Sequence, residues 1–208
     1  MRENETLCTG DSKTDTRHAQ ILSAATFCFC KHGFHGASIA MISKAACMSA
    51  GHIYHYFANK EAIIAAIVEQ DRQEVLIMVD RFREQDDIIE AMLAHAESGI
   101  DRALDPDRAT LHVEILAEAT RNSNIAAIIR NADAKIRDSM QQTLRCIPPL
   151  KHCPDEILYG IAEVICTMFS GLMSRSICNP GLQKTQVINL FRKIISDLLN
   201  NNPDRIMS

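Results

Sequence analysis

Hydroxyl, imidazole and ammonium side chains are concentrated in one short segment of this 208-residue chain, between Ser49 and Lys60. Such groups donate hydrogen bonds to phosphate oxygens and to base edges. Gly51 lies among them and lets the backbone approach a polymer closely. No acidic residue occurs between Ser38 and Lys60. This composition favours contact with a negatively charged polymer.

Two short helices joined by a tight turn are predicted to position these groups. The first helix has apolar residues at intervals of three and four, namely Ile39, Ile42, Ala45 and Ala46. Ser38 and Ser49 precede the two helices, where a hydroxyl can accept from free backbone N–H groups as an N-cap. In the second helix Ile53 and Phe57 are four residues apart and face inward together. The pattern predicts a helix-turn-helix of the kind that enters a DNA groove.

This segment and the helix before it resemble the DNA-binding domain of tetracycline-repressor-like (TetR) regulators. In the helix-turn-helix, the residues that match the family motif are Ser38, Ile39, Ile42, Ala46, Ser49, Gly51, Ile53, Tyr54, Tyr56, Phe57, Lys60 and Glu61. In the preceding helix and its exit turn, they are Arg17, Ile21, Leu22, Ala24, Ala25, Phe29, Gly33 and Phe34. The matches extend over about the first third of the chain.

Three positions depart from the family pattern. Ser43 stands where alanine is usual, Cys47 where the turn glycine is usual, and Met48 where valine is usual. Cys47 matters most, because a positive φ in the turn costs a residue with a Cβ about 1 kcal/mol. We therefore expect a turn that is strained or differently shaped.

The resemblance implies a role for each outward residue of the motif. Hydroxyls and an ammonium group near helix ends are expected to bind phosphates, and these residues are Ser38, Tyr54, Tyr56 and Lys60. The residues expected to face base edges are Ser49, Gly51, His52 and His55, and Ala50 is a further residue of the expected DNA-binding surface. Two alternatives stay open: an aromatic core pair for the two tyrosines, and a solvated surface role for the two histidines.

Charge is distributed unevenly along the chain, whose net charge is −4. Between Lys13 and Lys60 five cationic residues occur with one anion, Asp15, so this region carries +4 and the remainder carries −8. A basic head on an acidic body is what a DNA-reading protein needs, because steering depends on the local field.

The whole chain is predicted to be helical, since glycine and proline are few and fall at clean breaks. The predicted fold class is all-α, with about nine helices. Residues 1–13 are expected to be flexible, 14–60 to form a three-helix DNA-binding domain, and 61–208 to form a ligand-binding and dimerisation domain. Outside the motif the predicted helices are Asp15–His32, Asn59–Glu84, Asp87–Ala103, Pro106–Ala119, Ser123–Cys146, Pro154–Cys178 and Leu182–Asn200.

The last two predicted helices carry more apolar residues than one buried face requires. A two-fold homodimer through a four-helix bundle would cover the excess, and an ordinary internal core is the alternative. The resemblance also implies such a dimer, in which the last two helices pair and place two heads on palindromic double-stranded operator DNA.

The resemblance further implies a small-molecule inducer that binds among the middle helices and changes the spacing of the heads. The candidate cavity residues are Phe82, Met92, His95, His112, Glu114, Glu118, Glu163, Met168, Phe169 and Met173. The carboxylates on apolar faces need either an arginine partner, exposure at a rim, or a cationic ligand. We expect a bulky hydrophobic inducer, cationic if the carboxylates contact it, and control of a multidrug efflux transporter gene. A catabolic operon is the alternative.

Other classes of function find little support in the sequence. It contains no nucleophile elbow, HExxH motif or phosphate loop, so no enzyme activity, catalytic residue or cofactor is expected. No metal site is expected either, because Cys28 and Cys30 would point to different sides of a helix. We expect cysteines to be buried thiols, with zinc binding and redox sensing as alternatives. A redox-responsive regulator would use Cys47 in the reading turn.

The expected compartment is the cytoplasm. The first 15 residues are polar and mixed in charge, unlike a signal peptide. No uninterrupted run of about 18 uncharged apolar residues occurs, so no membrane span is expected.

Overall fold

The computed structural model describes residues 11–200, and within that range it is built from helices. The described helices are α1 (Asp11–Gly36), α2 (Ile39–Ala45), α3 (Ala50–Tyr56), α4 (Lys60–Arg83), α5 (Ile88–Leu104), α6 (Pro106–Ala119), α7 (Ser123–Arg145), α8 (Asp155–Cys178) and α9 (Lys184–Asn200), with a 3₁₀ turn at Pro148–Leu150. The predicted all-α class is confirmed. Residues 1–10 of the segment predicted to be flexible lie outside the described range, whereas residues 11–13 belong to α1.

Side-chain caps start the two short helices as predicted. The Ser38 hydroxyl accepts from the Met41 N–H at 3.2 Å, and the Ser49 hydroxyl accepts from the His52 N–H at 3.1 Å. Each cap satisfies a backbone donor that has no partner within its helix. Asn59 and Asp87 cap α4 and α5 in the same way, so those helices begin one residue later than predicted.

A glycine ends the regular path of α1, which extends beyond its predicted end. Gly33 has φ 70° and ψ 168°, a region that only glycine adopts at little cost. The Glu114 carboxylate of α6 packs over it, 3.2 Å from where a Cβ would stand. The Ala37 N–H then donates to the Gly33 carbonyl at 3.0 Å. Residues 33–37, here called the corner segment, therefore form a sharp exit towards α2.

The head, α1 to α3, shares its hydrophobic core with the body. Ile21, Phe29, Ile42 and Ile53 are fully buried within it. The first two turns of α4 contribute Ile63, Ile64 and Ile67, while α6 and α7 contribute Ile115 and Ile125. The predicted boundary between residues 60 and 61 thus falls at the beginning of a helix that belongs to both parts.

Two arginines, one at the end of α5 and one at the beginning of α6, bond to α4. Arg102 and Arg108 each bond to both Asp71 and Glu74 of α4, with N–O distances of 2.5 to 3.0 Å. Burial alone would raise the pKa of Glu74, but hydrogen bonds from the two arginines bring the net pKa below its usual range. The middle of α4 is therefore fixed by directional polar contacts as well as by apolar packing.

The longest apolar helix, α8, is only partly covered within one chain. By length and composition it could cross a membrane, a property that core helices of soluble proteins share. Of its most apolar stretch, 28% is buried. Tyr159, Val164 and Ile177 are exposed on α8, and Leu190 and Ile194 are exposed on α9. The apolar excess inferred from the sequence is thus an uncovered surface of the single chain.

Candidate nucleic-acid interface

The helix α3 has one buried and one open side. Ile53 and the following Phe57 are buried and anchor it in the head. The opposite side is exposed and presents Ala50, Gly51, His52, Tyr54 and His55. Tyr54 is 55% exposed, so it does not form a core pair with Tyr56. Tyr56 is half-buried and packs against the core of the head.

Three aromatic rings form a ridge along the open side of α3. The His52 ring centroid lies 5.4 Å from that of Tyr56 and 6.5 Å from that of His55. The His55 and Tyr56 centroids are 5.3 Å apart, with nearly perpendicular rings. Contacts of this kind restrict side-chain rotation, so the polar atoms of these rings are held in defined directions.

The turn before α3 has the strained backbone that the sequence predicts. Cys47 has φ 52°, and apart from Gly33 no described residue has a positive φ. The Gln20 side-chain amide of α1 donates to the Ala46 carbonyl at 2.7 Å. The Met48 N–H donates to the Ser43 carbonyl at 2.9 Å. These bonds hold the turn in place, and the Cys47 thiol is exposed at its tip.

Lys60 has a different position from the one expected of a phosphate ligand. Its ammonium donates to the Phe34 carbonyl at 2.6 Å and to the Ala37 carbonyl at 2.9 Å. It also lies 4.5 Å from the centroid of the Phe34 ring. The Lys60 ammonium therefore holds the corner segment against the beginning of α4. The sequence contains no signal for this contact, because the two partners are more than 20 residues apart.

The structure does not gather the ten candidate ligand residues into one cavity. Phe82 and Met92 are buried in the core of the body, while His95 is exposed and its ring stacks edge-on against Phe82 at 5.2 Å. Phe169 packs its ring onto Gly99, in a cluster that also contains Met173. Met168 is half-buried on α8. Phe82, Met92, Phe169 and Met173 therefore fill the core instead of lining a void.

The acidic candidates have protein partners or lie away from the body core. Glu163 accepts from Arg137 at 3.0 Å, which is the arginine pairing that the sequence left open. Glu114 packs on Gly33, and Glu118 lies 2.8 Å from His35 of the corner segment. Both therefore belong to the joint between head and body. His112 lies half-buried on α6, where burial lowers its pKa and Asp71 partly opposes this effect.

Two open grooves of the described surface lie next to α4. The larger, of about 590 Å³, lies between α4 and α7 and is lined by Ala65, Ala66, Val68, Glu69, Ala127, Ile128, Asn131 and Ala132. The smaller, of about 280 Å³, is polar and includes Asp80 and Arg83. Neither contains any of the ten candidate residues. In the described range, no three His, Cys, Asp or Glu side chains are arranged to hold a metal ion.

The cysteines differ in their surroundings. Cys28 and Cys153 are buried, as expected of structural thiols, but Cys47, Cys146 and Cys178 are exposed. Burial raises the pKa of Cys166 to about 11, which keeps this thiol protonated and unreactive. An exposed thiol in the reading turn leaves the redox alternative for Cys47 open.

Comparison with known proteins identifies the family. Residues 21–67 match the model for "Bacterial regulatory proteins, tetR family". The HTH-type transcriptional regulator UidR of Escherichia coli K12 is 37% identical over 127 residues, which span 61% of this chain and 63% of UidR. The structure of Salmonella enterica GusR aligns with a TM-score of 0.74 at 26% identity, covering 89% of this chain and 96% of GusR. Residues 21–67 therefore form a DNA-binding region of the TetR family.

A more distant TetR structure supports the fold alone. FadR from Bacillus subtilis, solved in complex with stearoyl-CoA, aligns with a TM-score of 0.70 at 20% identity. The alignment covers 88% of this chain and 98% of FadR. The helical arrangement therefore continues through the body, beyond the region matched by the family model.

Proposed function

We propose that this chain is a dimeric transcriptional repressor of the TetR family that binds a palindromic operator and is released from it by a small-molecule inducer. The observation that carries the proposal is the capped α2–α3 pair. It buries Ile53 and Phe57 and turns an aromatic, acid-free face outward. The family whose model matches residues 21–67 is one of regulators.

The chemistry of the α3 face suits double-stranded DNA. The Tyr54 hydroxyl can donate to a phosphate, while Gly51 allows backbone approach and the His52 and His55 rings can reach base edges. Ser49 and Ala50 begin α3, where free N–H groups favour an anion. We retain Ser38 and Tyr56 as phosphate ligands, and we assign Lys60 to holding the corner segment, since its ammonium donates to two carbonyls.

The DNA-binding proposal can be tested without knowing the operator. The wild-type protein selects its site from a random DNA pool, and fluorescence anisotropy then measures affinity at several salt concentrations. Tyr54→Phe removes one hydroxyl and should weaken binding by roughly 1.5 kcal/mol per head, about tenfold, as for a hydrogen bond to a charged group. The control is Tyr159→Phe, because Tyr159 is similarly exposed at 48% but lies on α8, and phenylalanine keeps its ring on the uncovered face of that helix. No selected sequence, or equal affinities for both variants, would contradict the proposal.

The proposed dimer uses the uncovered faces of α8 and α9. On α8 the small residues Gly160, Val164, Thr167 and Gly171 recur at intervals of three and four along an exposed seam. No atom lies within 4 Å of a Cβ built on Gly160 or Gly171. A second copy could therefore approach closely, and the exposed apolar side chains of α9 would be covered in the same four-helix bundle.

A protein that reads chromosomal DNA would act in the cytoplasm.

The inducer proposal concerns the middle helices of the body. Its apolar candidates Met92, Phe169 and Met173 pack in the core, so a ligand would have to displace flexible side chains. We propose a metabolite and a catabolic operon in preference to a drug and an efflux gene. Glu163 is already paired with Arg137, so this carboxylate does not need a cationic ligand as its partner. In addition, the FadR neighbour was solved with stearoyl-CoA.

A ligand screen distinguishes these alternatives. Metabolites and cationic hydrophobic drugs would be tested for raising the melting temperature and for releasing the selected DNA, because an inducer must do both. Release by an acyl thioester or another metabolite would support the catabolic proposal. Release by cationic drugs alone would contradict it.

A further inference from the structure

We propose that Glu118 is a positioning residue through which the body sets the angle of the DNA-reading head, and that it acts through His35. The proposal rests on operator binding by α3. It concerns the joint between head and body, where the corner segment lies between α4 and α6.

Glu118 is a buried carboxylate in the last turn of α6. Its side chain is 4% exposed, and its Oε2 lies 2.8 Å from the His35 Nε2. Among the described residues Oε2 accepts no hydrogen bond of normal geometry: the His35 contact is an ion pair when the imidazole is protonated, and the Arg121 guanidinium is 4.0 Å away. A buried carboxylate oxygen without a donor is costly. The position of the imidazole therefore decides whether Glu118 is satisfied.

The second oxygen of Glu118 belongs to a network that reaches α4. Oε1 accepts from the Asn122 side-chain amide at 3.4 Å. The same amide donates to the Glu61 carboxylate at 2.7 Å. Asn122 also caps α7 through its side-chain oxygen. Glu118 thus joins the corner segment to α6, to the beginning of α7 and, through Asn122, to the beginning of α4.

The corner segment is held from two sides. From α4, Lys60 donates to the Phe34 and Ala37 carbonyls. From α6, Glu118 faces His35, which lies between those two residues in sequence. The segment leads directly into α2 and the reading helix α3. Movement of α6 relative to α4 is therefore transmitted to the head at this point.

The contact between Glu118 and His35 adds a restraint between two specific side chains, which the surrounding apolar core does not supply. Ile115 and Ile125 pack the body against the head, but apolar packing is not directional and allows small rotations. The Glu118–His35 ion pair acts between two specific side chains 2.8 Å apart, so it favours the arrangement of head and body that keeps them together. In a two-headed protein this arrangement sets the distance between the reading helices, and hence the half-site spacing.

The test measures spacing preference instead of affinity alone. The selected operator is remade with one base pair added or removed between the half-sites, and anisotropy gives the affinity of each protein for the three DNAs. His35→Ala removes the partner on the exposed side, where His35 is 72% exposed, so loss of folding is not expected. Glu118→Gln removes the charge and keeps the volume. Glu97→Gln, at an exposed position on α5 outside the joint, is the control for the same substitution.

We expect wild type and Glu97→Gln to prefer the native spacing by roughly fivefold or more, the lower end of the usual range of couplings between sites. His35→Ala and Glu118→Gln should prefer it by less than about twofold. His35→Arg, which restores a donor, should recover the preference. Melting temperatures and circular dichroism are measured for every variant, because a purely structural role would change stability and leave the spacing ratio unchanged.

The failures of the inference and of the proposed function are distinguishable. Retention of the wild-type spacing ratio in both His35→Ala and Glu118→Gln would overturn the inference alone. Wild-type protein that selects no DNA, or shows no spacing preference, would overturn the proposed dimeric operator binding and the inference with it.

Discussion

Gly33 offers the sharpest test of how the head is joined to the body. Its φ of 70° and ψ of 168° lie in a region that is essentially restricted to glycine. Replacement by alanine should therefore cost about 1 to 3 kcal/mol of unfolding free energy from backbone strain. Asparagine should not rescue the protein, because asparagine tolerates the left-handed helical region and not a ψ near 168°.

A contact adds to this cost and can be separated from it. The new Cβ would lie 3.2 Å from the Glu114 Oε2, tighter than an ordinary contact. Glu114→Ala in the Gly33→Ala background should recover the contact part and leave the backbone part. Gly36→Ala is the matched control, because the Cβ there would meet only the His32 Cβ at 3.5 Å. That control should lie near wild type or be up to about 1 kcal/mol more stable.

Thermal and urea unfolding followed by circular dichroism measure the difference, with all variants at one protein concentration, since a dimer's melting temperature depends on concentration. At about 2 to 4 °C per kcal/mol for a chain of this size, Gly33→Ala should melt roughly 2 to 12 °C below wild type. A Gly33→Ala protein within about 0.5 kcal/mol of wild type would refute the reasoning, as would a Gly36→Ala protein that is equally destabilised.

Three further predictions concern the turn, the pH dependence and the dimer. Cys47→Gly should raise the unfolding free energy by about 0.5 to 1 kcal/mol, because the strain relieved at a φ of 52° exceeds the cost of the greater chain entropy of glycine in the unfolded state. A Cys47→Ser protein that still lost DNA affinity in peroxide would exclude a redox role for this thiol. Hydrogen bonds from Arg72 hold the pKa of Glu69 at about 2, below its ordinary 4.5, so the stabilisation is complete above pH 4.5 and is lost as the pH falls towards 2. Glu69→Gln should therefore reduce the pH dependence of the urea unfolding midpoint across that range. The reduction should be small, because Glu69 is half-exposed. Gly171→Leu should convert a dimer to a monomer in sedimentation with unchanged helicity, and a dimer that survives it would exclude this seam.

The sequence predicted the helices well because their signals are local. Ser38, Ser49, Asn59 and Asp87 act as caps within three residues of the N–H groups they satisfy. Proline at the first position of α6 and the buried pair in α3 are equally local. The positive φ of Cys47 was also predictable, because the position in the turn demands it whatever residue occupies it. Fold class and the outward face of α3 therefore follow from residues close in sequence.

Lys60 was harder to place, because its role depends on a distant partner. Its position just after the reading helix suggests a phosphate ligand, and nothing nearby in sequence competes for its charge. In the fold, the corner segment brings two unpaired carbonyls within 3 Å of its ammonium. Unpaired carbonyls at the end of a helix carry partial negative charge and therefore attract a cation.

The acidic residues of the body were also hard to assign from the sequence, because their partners lie on other helices. A helical period identifies which residues face inward, but it does not identify the helix they meet. Glu118 and Glu163 have similar apolar neighbours in sequence, yet one faces a histidine of the head and the other an arginine of α7. Their positions on apolar helix faces made both look like ligand contacts, since a charge that is buried needs a partner. Where the chain itself supplies that partner across two helices, a buried carboxylate indicates how those helices are held together, and a ligand site must be sought among side chains that lack one.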